Sequence, residues 1–384
     1  MTREVDPPLT LYIHLPFCIR KCPYCDFHSL PDRLGDESAY VARLIVELRH
    51  WRGFFAQDTR LLHAIFFGGG TPSLLQASSI GSILEAVRLT WPLEPGCEIT
   101  LEANPESCQR EKMAVWREAG INRVSLGIQA LDDQRLRLLG RPHDRAGALE
   151  AARGLLESGF THLNADLIYA TPGQSLDSWR GELREAVGLG LGHLSCYALT
   201  LEEGTPFQAR HAAGRMVLPD EALSLAFFGF TRHFLAEHGY EPYEISNFAR
   251  AGQACRHNGN YWAYGDYLGI GSGAHGKWSD GAGVTWRWAN PADLSVYLRE
   301  SFATPERLSA REAGMECVMM GLRTRVGVER ARYRGVTGVD LVEACGARVM
   351  GLVEAGLLEV DGERVRVTEV GVSRLDGIVE RLVG

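Results

Sequence analysis

Two textures alternate along the first half of the chain. Short apolar runs of strand length lie at 9–15, 61–67, 98–103, 123–129, 162–169 and 193–199, and amphipathic stretches separate them at 38–50, 74–89, 112–118, 145–158 and 176–189. Strand and helix repeating at this spacing predict βαβ units around a parallel sheet. Six runs are too few for the eight strands of a closed barrel. The pattern therefore predicts an α/β fold, a partial, open (β/α)6 TIM-like barrel, with a doubly wound open sheet as the competing arrangement. After 199 the texture changes. A long helix is expected over 221–238, followed by a Gly- and aromatic-rich region at 239–288 and a mainly helical remainder. Near the end, helical patterns at 340–355 and 373–382 flank two apolar runs, 358–360 and 364–367, joined through Asp361-Gly362. Asp-Gly between such runs signals a hairpin, and helices plus a hairpin predict a winged-helix-like module. Three divisions follow: a barrel core at 1–220, a connecting helix and Gly/aromatic-rich region at 221–290, and a C-terminal helical domain at 291–384.

Composition narrows the classes. At 384 residues, 45% hydrophobic and 23% charged, the chain is globular rather than disordered, collagenous or coiled coil. Its 40 basic and 48 acidic side chains leave −8, which argues against nucleic acid as the main partner. The C-terminal module shows few cations beyond Arg364 and Arg366, so a packing or partner-binding role is expected there. The first eight residues mix charges and have no apolar h-region, so no signal peptide is expected. The longest strongly apolar stretch, 222–230, falls far short of the roughly 20 residues that span a bilayer. A cytoplasmic location is expected.

The strongest chemical signal is Cys18-Ile-Arg-Lys-Cys22-Pro-Tyr-Cys25, three of nine cysteines directly after the first apolar run. On a helix, this spacing would form one packing stripe. Pro23 opposes that, since a proline inside a helix costs about 3 kcal/mol, and Lys21, Tyr24 and Asp26 suit a loop. An odd, clustered set does not read as a secreted disulfide framework. Zinc is one alternative, with His28 or Cys255 as a fourth ligand. Iron–sulfur ligation is the other, and three thiolates on a cubane leave one iron open. Cys97, Cys108, Cys196, Cys317 and Cys345 are expected to be small apolar residues of the interior. The run 61–67 leads into Gly68-Gly69-Gly70-Thr71-Pro72, where glycines either let backbone approach a ligand or form a tight turn. Glu102, Gln129 and Asp166 fall at or near strand ends, where parallel barrels gather their sites.

The spacing C-x3-C-x2-C with Tyr24 resembles the signature of the radical S-adenosylmethionine superfamily. The run Tyr12-Ile-His-Leu-Pro-Phe-Cys18, with Gly68–Ser73, Glu102-Ala-Asn-Pro105, Ser125-Leu-Gly-Ile-Gln129 and Asp166-Leu-Ile-Tyr-Ala-Thr-Pro-Gly173, closely resembles the oxygen-independent coproporphyrinogen oxidase family over essentially the whole chain. The resemblance implies a radical S-adenosylmethionine barrel in which Cys18, Cys22 and Cys25 ligate a 4Fe–4S cluster. It also implies that Tyr12, Gly70, Thr71, Glu102, Gln129, Arg141 and Asp166 contact S-adenosylmethionine or a second copy of it. The oxidase branch carries a further cysteine two positions after the third ligand, where this chain has Phe27. It also has a long extension before its Tyr-x-His motif, where eleven residues precede Tyr12 here. The haem-chaperone branch is marked by His-Asn-x-x-Tyr-Trp, present as His257-Asn258-Gly-Asn-Tyr261-Trp262. Imidazole is a normal axial ligand of haem iron, so His257 is the expected haem ligand, with His275 of the Gly-rich 269–275 a weaker candidate. The resemblance thus implies a haem chaperone more than an enzyme. Its partners would be haem and a haem-acceptor protein such as a membrane respiratory enzyme, with a homodimer as a further option. The alternatives are oxidative decarboxylation of coproporphyrinogen III and radical chemistry on another substrate.

Overall fold

The computed structural model describes residues 8–31, 37–280 and 283–384; the expectation about a signal peptide falls on residues outside that set. Six parallel strands, Leu9–Leu15, Leu62–Gly69, Leu93–Ala103, Arg123–Gln129, His162–Tyr169 and His193–Ala198, lie side by side in chain order. Each pairs in parallel with the next. No reversal of order interrupts them, so the sheet curls as a partial barrel and is not doubly wound. Alternation explains the two faces. In the first strand Leu9, Leu11, Ile13 and Leu15 are buried in the core shared with Leu44 and Leu48 of the helix Glu37–Phe54 and with Ile80 and Leu84 of Ala77–Thr90. Thr10, Tyr12 and His14 take the opposite face, toward the barrel interior.

The sheet is larger than the six runs. Asp266–Ile270, inside the Gly- and aromatic-rich region, is a seventh parallel strand and pairs with Leu9–Leu15. Antiparallel strands His275–Ser279, Thr285–Ala289 and Glu306–Arg307 continue that edge, and Asn247–Ala249 with Glu241–Pro242 extends the other, making twelve strands in one open sheet among the described residues. Between these edges the chain passes under the N-terminal ends of the strands. Arg123 donates to the Gln253 carbonyl at 2.9 Å, His162 Nδ1 meets Gln253 Oε1 at 2.8 Å, and Asn260 Nδ2 donates to Thr10 Oγ1 at 3.2 Å. The helix Arg256–Trp262 follows and closes the barrel floor.

The C-terminal module has its own core, including Cys317, Leu341, Val349, Leu358, Val365 and Ile378. The hairpin Leu358–Val360 and Arg364–Val367 forms where expected, and Val328–Glu329 adds a third strand. The helix expected over 340–355 is two, Leu341–Cys345 and Ala347–Glu354, broken at Gly346, whose φ is +46°. Likewise the stretch 74–89 begins as a 3-10 turn, Pro72–Leu74, before its helix. The cations of the module include Arg330 and Arg334 as well, both paired with Asp340, while Arg366 pairs with Glu359. Cys97, Cys196, Cys317 and Cys345 are buried, and Cys108 is half-buried.

A buried ion group fastens the seventh strand. Asp266 lies 2.7 Å from Arg60 and 2.8 Å from Lys277, and Lys277 is 1% exposed. Burial opposes the charge on Asp266, but Lys277 and Arg60 outweigh it and hold the carboxyl below its ordinary range. A depressed carboxylate contributes stability that persists above its ordinary pKa and fades as acid protonates it. Asp266→Asn strands the Lys277 ammonium, so equilibrium urea unfolding at neutral pH should show a loss of about 3–5 kcal/mol.

Candidate cofactor site at the strand ends

At the C-terminal ends of the strands lies a cavity of about 340 Å³. Its lining brings together Cys18, Cys22, Cys25, Gly70, Thr71, Glu102, Gln129, Arg141 and Asp166. The cysteine segment is a loop, not a helical stripe. Phe17–Cys18 pairs with Leu30–Pro31 and ties its two ends together, the Cys25 N–H turns back to the Cys22 carbonyl at 3.2 Å, and the Pro23 carbonyl accepts from Phe207 at 3.0 Å. Burial pushes the Cys25 thiol up to about 11 and raises Cys18 as well. Among the described residues, no three His, Cys, Asp or Glu side chains converge on a single-ion position. Neither proposed zinc partner joins the cysteines: Cys255 donates to Glu98 at 3.3 Å, and His28 Nε2 is taken by Ser272 Oγ at 2.9 Å. Three thiols around the mouth of a cavity suit a multi-iron cluster better than one zinc ion.

The glycine run does more than turn. A Cβ on Gly70 would lie 2.6 Å from the Phe17 carbonyl oxygen, so only glycine lets this loop cross the start of the cysteine segment. Gly69 sits at φ +116°, a region that favours glycine, and its N–H donates to Glu102 at 3.1 Å. Glu102 and Asp166 project from neighbouring parts of the sheet into the same low-dielectric interior. Burial first, and then the charge of Asp166, push Glu102 up to about 8. Asp166 is also raised by burial, against the opposing donors Ser195, Asn164 and Ser125. Gln129 ends its strand at φ +67°, an unfavourable backbone conformation for a non-glycine residue.

Arg141 supplies the positive charge. It donates to Cys22 Sγ at 3.6 Å, to the Gly127 carbonyl at 3.1 Å and to Asn104 Oδ1. Its buried Nε has no hydrogen-bond partner among the described residues, as befits a site built for a further acceptor. Sequence reasoning did not single out Asn104, Glu106 or Tyr197, which also line the cavity. The signal for Asn104 was its place two residues after Glu102, on the same face of the chain at a strand end.

Two expected site residues lie below the cavity. Tyr12 donates its hydroxyl to His14 Nδ1 at 3.0 Å, and His14 Nε2 donates to the His28 carbonyl at 2.9 Å. The carbonyl fixes the tautomer, and burial pushes His14 down to about 4, keeping it neutral. The Tyr12 ring stacks near His257, with centroids 6.1 Å apart, and Phe66 stacks on His257 at 4.9 Å. His257 therefore belongs to the barrel floor, is 7% exposed and does not line the cavity. Burial pushes it down to about 4, and its Nδ1 has no hydrogen-bond partner among the described residues. His275 is exposed at the start of its strand, also away from the cavity lining. The Gly-rich segment beside it is the end of the seventh strand and a turn: a Cβ on Gly269 would lie 1.7 Å from the His275 carbonyl oxygen.

Comparison with known proteins bears on the family and the fold. Residues 12–186 match the radical SAM superfamily, and residues 308–373 match the HemN C-terminal domain. The chain is 35% identical to the haem chaperone HemW of Haemophilus influenzae, covering 97% of each chain. It is 36% identical to HemW of Mycobacterium tuberculosis, over 98% of this chain and 95% of that one. The bovine mitochondrial radical S-adenosyl methionine domain-containing protein 1 is 35% identical over 97% of this chain and 87% of its own. Among solved structures, coproporphyrinogen III oxidase (HemN) of Escherichia coli superposes with a TM-score of 0.80 at 22% identity, over 99% of this chain and 91% of that one, which establishes the shared fold. The chain belongs to the HemW-type family of the radical SAM superfamily.

Proposed function

We propose that this protein is a haem chaperone, which binds haem and passes it to an acceptor protein. Cys18, Cys22 and Cys25 hold a 4Fe–4S cluster. S-adenosylmethionine lies against Gly70, Thr71, Glu102, Gln129, Arg141 and Asp166, with Tyr12 behind them. When bound, the cluster supplies redox chemistry at the rim of the barrel. The chain's own part is to hold the cofactor's charges: Arg141 faces anionic groups, while Glu102 and Asp166 face cationic ones.

The observation that carries the haem reading is His257, in the motif shared with the chaperone branch. Its imidazole is neutral at physiological pH and has a nitrogen without a partner among the described residues, which is the state in which imidazole ligates iron. Its packing, however, leaves no room for a macrocycle while the helix Arg256–Trp262 seals the floor. Ligation by His257 therefore goes together with displacement of that helix. The helix N-terminus is held by Glu98, which accepts from the Arg256 and His257 N–H groups at 2.9 and 3.2 Å. Phe27, at the position where the oxidase branch has its further cysteine, is an exposed apolar side chain and offers no thiolate.

Haem titration of the purified protein, followed by absorbance, should give stoichiometric binding. His257→Ala should abolish it and leave the iron–sulfur absorbance intact; unchanged haem affinity in that variant would overturn the assignment. Cys22→Ser should lose iron and sulfide. Conversion of coproporphyrinogen III to protoporphyrinogen IX in anaerobic incubation with dithionite and S-adenosylmethionine would instead make the protein an oxidase.

Glu102 gives a second test. Held up to about 8, it is mainly protonated at pH 7 in the ligand-free protein. The ammonium and sulfonium of S-adenosylmethionine favour the carboxylate, so binding expels a proton. Calorimetry at pH 7 in buffers of different ionisation enthalpy should register that release, and affinity should rise with pH until Glu102 is fully ionised. Glu102→Gln should remove the release; a buffer-independent heat in the wild type would count against this contact.

A further inference from the structure

Arg141, Asn104 and Thr71 form a chain of hydrogen bonds that begins at one cysteine and ends at another. Arg141 donates to Cys22 Sγ at 3.6 Å and, through its other terminal nitrogen, to Asn104 Oδ1. Asn104 Nδ2 donates to Thr71 Oγ1 at 3.0 Å, and Thr71 Oγ1 stands 3.6 Å from Cys18 Sγ. The direction of the bonds from Arg141 and Asn104 is dictated by chemistry. A guanidinium has no acceptor, so the carboxamide must turn its oxygen to Arg141 and its NH2 to Thr71. Thr71 Oγ1 then receives a hydrogen, and its own is available to the Cys18 sulfur, which must accept it once Cys18 is a thiolate. The Thr71 backbone N–H is fixed on the Phe17 carbonyl at 2.7 Å, which holds the side chain against the cysteine loop.

We infer that Asn104 is a positioning residue for the cluster, acting through Thr71 to aim a hydrogen-bond donor at the Cys18 thiolate. The inference rests on the reading of Cys18, Cys22 and Cys25 as cluster ligands. Donors to ligating sulfur withdraw negative charge and favour the more anionic, reduced state, so outer-shell donors of this kind raise a cluster's potential. Chains of hydrogen bonds polarise one another, and this one starts from a permanent cation. A carboxylate in place of the carboxamide reverses the second half of the chain. It accepts from Arg141 as before, but now also accepts from Thr71, and the hydroxyl hydrogen turns away from Cys18.

The test is an EPR-monitored redox titration of the full-length protein, reconstituted anaerobically with iron and sulfide and without S-adenosylmethionine. Thr71→Val and Asn104→Asp should each keep iron and sulfide content, yet favour the reduced state about tenfold less at a given potential. For a one-electron couple this is a shift of about 59 mV to more negative values. Asn104→Asp also adds negative charge, so the double variant is decisive. If the effect passes through Thr71, Asn104→Asp made on Thr71→Val should shift the midpoint by less than half as much as it does alone. Should Asn104→Asp fail to assemble a cluster, Asn104→Ala enters the same cycle, with a smaller negative shift that again depends on Thr71. A cluster-bearing Asn104 variant with an unchanged midpoint, or shifts that simply add, would overturn the relay and leave the cluster standing. Unmodified protein that takes up no iron and sulfide would overturn the cluster reading, and the relay with it.

Discussion

Parallel strands send all their N-terminal ends to one side, and that side of a barrel must be sealed before the other can serve as a site. Here the seal depends on Glu98. One of its oxygens accepts from the backbone of Arg256 and His257 and from the Cys255 thiol, and the other lies 3.6 Å from the buried guanidinium of Arg123. The helix that it holds fills the floor with His257, against Phe66 and Tyr12. With the floor closed, the interior above it has a low dielectric, and that is what separates the behaviour of the groups at the upper rim from their behaviour in water.

The rim is organised by sign. Two carboxyl groups deep in the barrel, Glu102 and Asp166, are raised by the cost of burying their charge. Arg141 stands between them and the cysteine loop, stays cationic beside Cys22, and reaches across to Asn104. A ligand with both a carboxylate and cationic groups would find Arg141 for the first and, once they ionise, Glu102 and Asp166 for the second. Glycine at position 70 makes this layout compact, because no larger residue would let the strand-end loop cross the Phe17 backbone.

The six-run pattern was legible because strands buried on both faces read as continuous apolar segments, with amphipathic helices between them. The seventh parallel strand was not legible. Asp266–Ile270 is five residues long, includes a glycine, and pairs with a strand at the far end of the chain, so no local period announces it. The loop form of the cysteine segment could be read from sequence because Pro23 excluded the helical stripe. The separation of its cysteines from Cys255 could not, since that cysteine's place on the floor is set by its bond to Glu98. His257 shows the same divide: its motif names the residue, but its depth beneath the cavity follows from how the helix packs. Asn104 stands in the sequence only as part of the Glu102–Pro105 run, and only the folded chain shows both ends of its carboxamide engaged.

Tyr12 is where the two ends of the barrel meet. Its hydroxyl is tethered to His14 and through it to the backbone of His28, in the loop that follows the cysteines, while its ring lies against His257 below. The upper and lower compartments are therefore not insulated from each other: if the lower helix withdraws, an aromatic neighbour is lost to the same side chain that props the upper loop. One phenol spans the wall between the floor of the barrel and the loop at its rim.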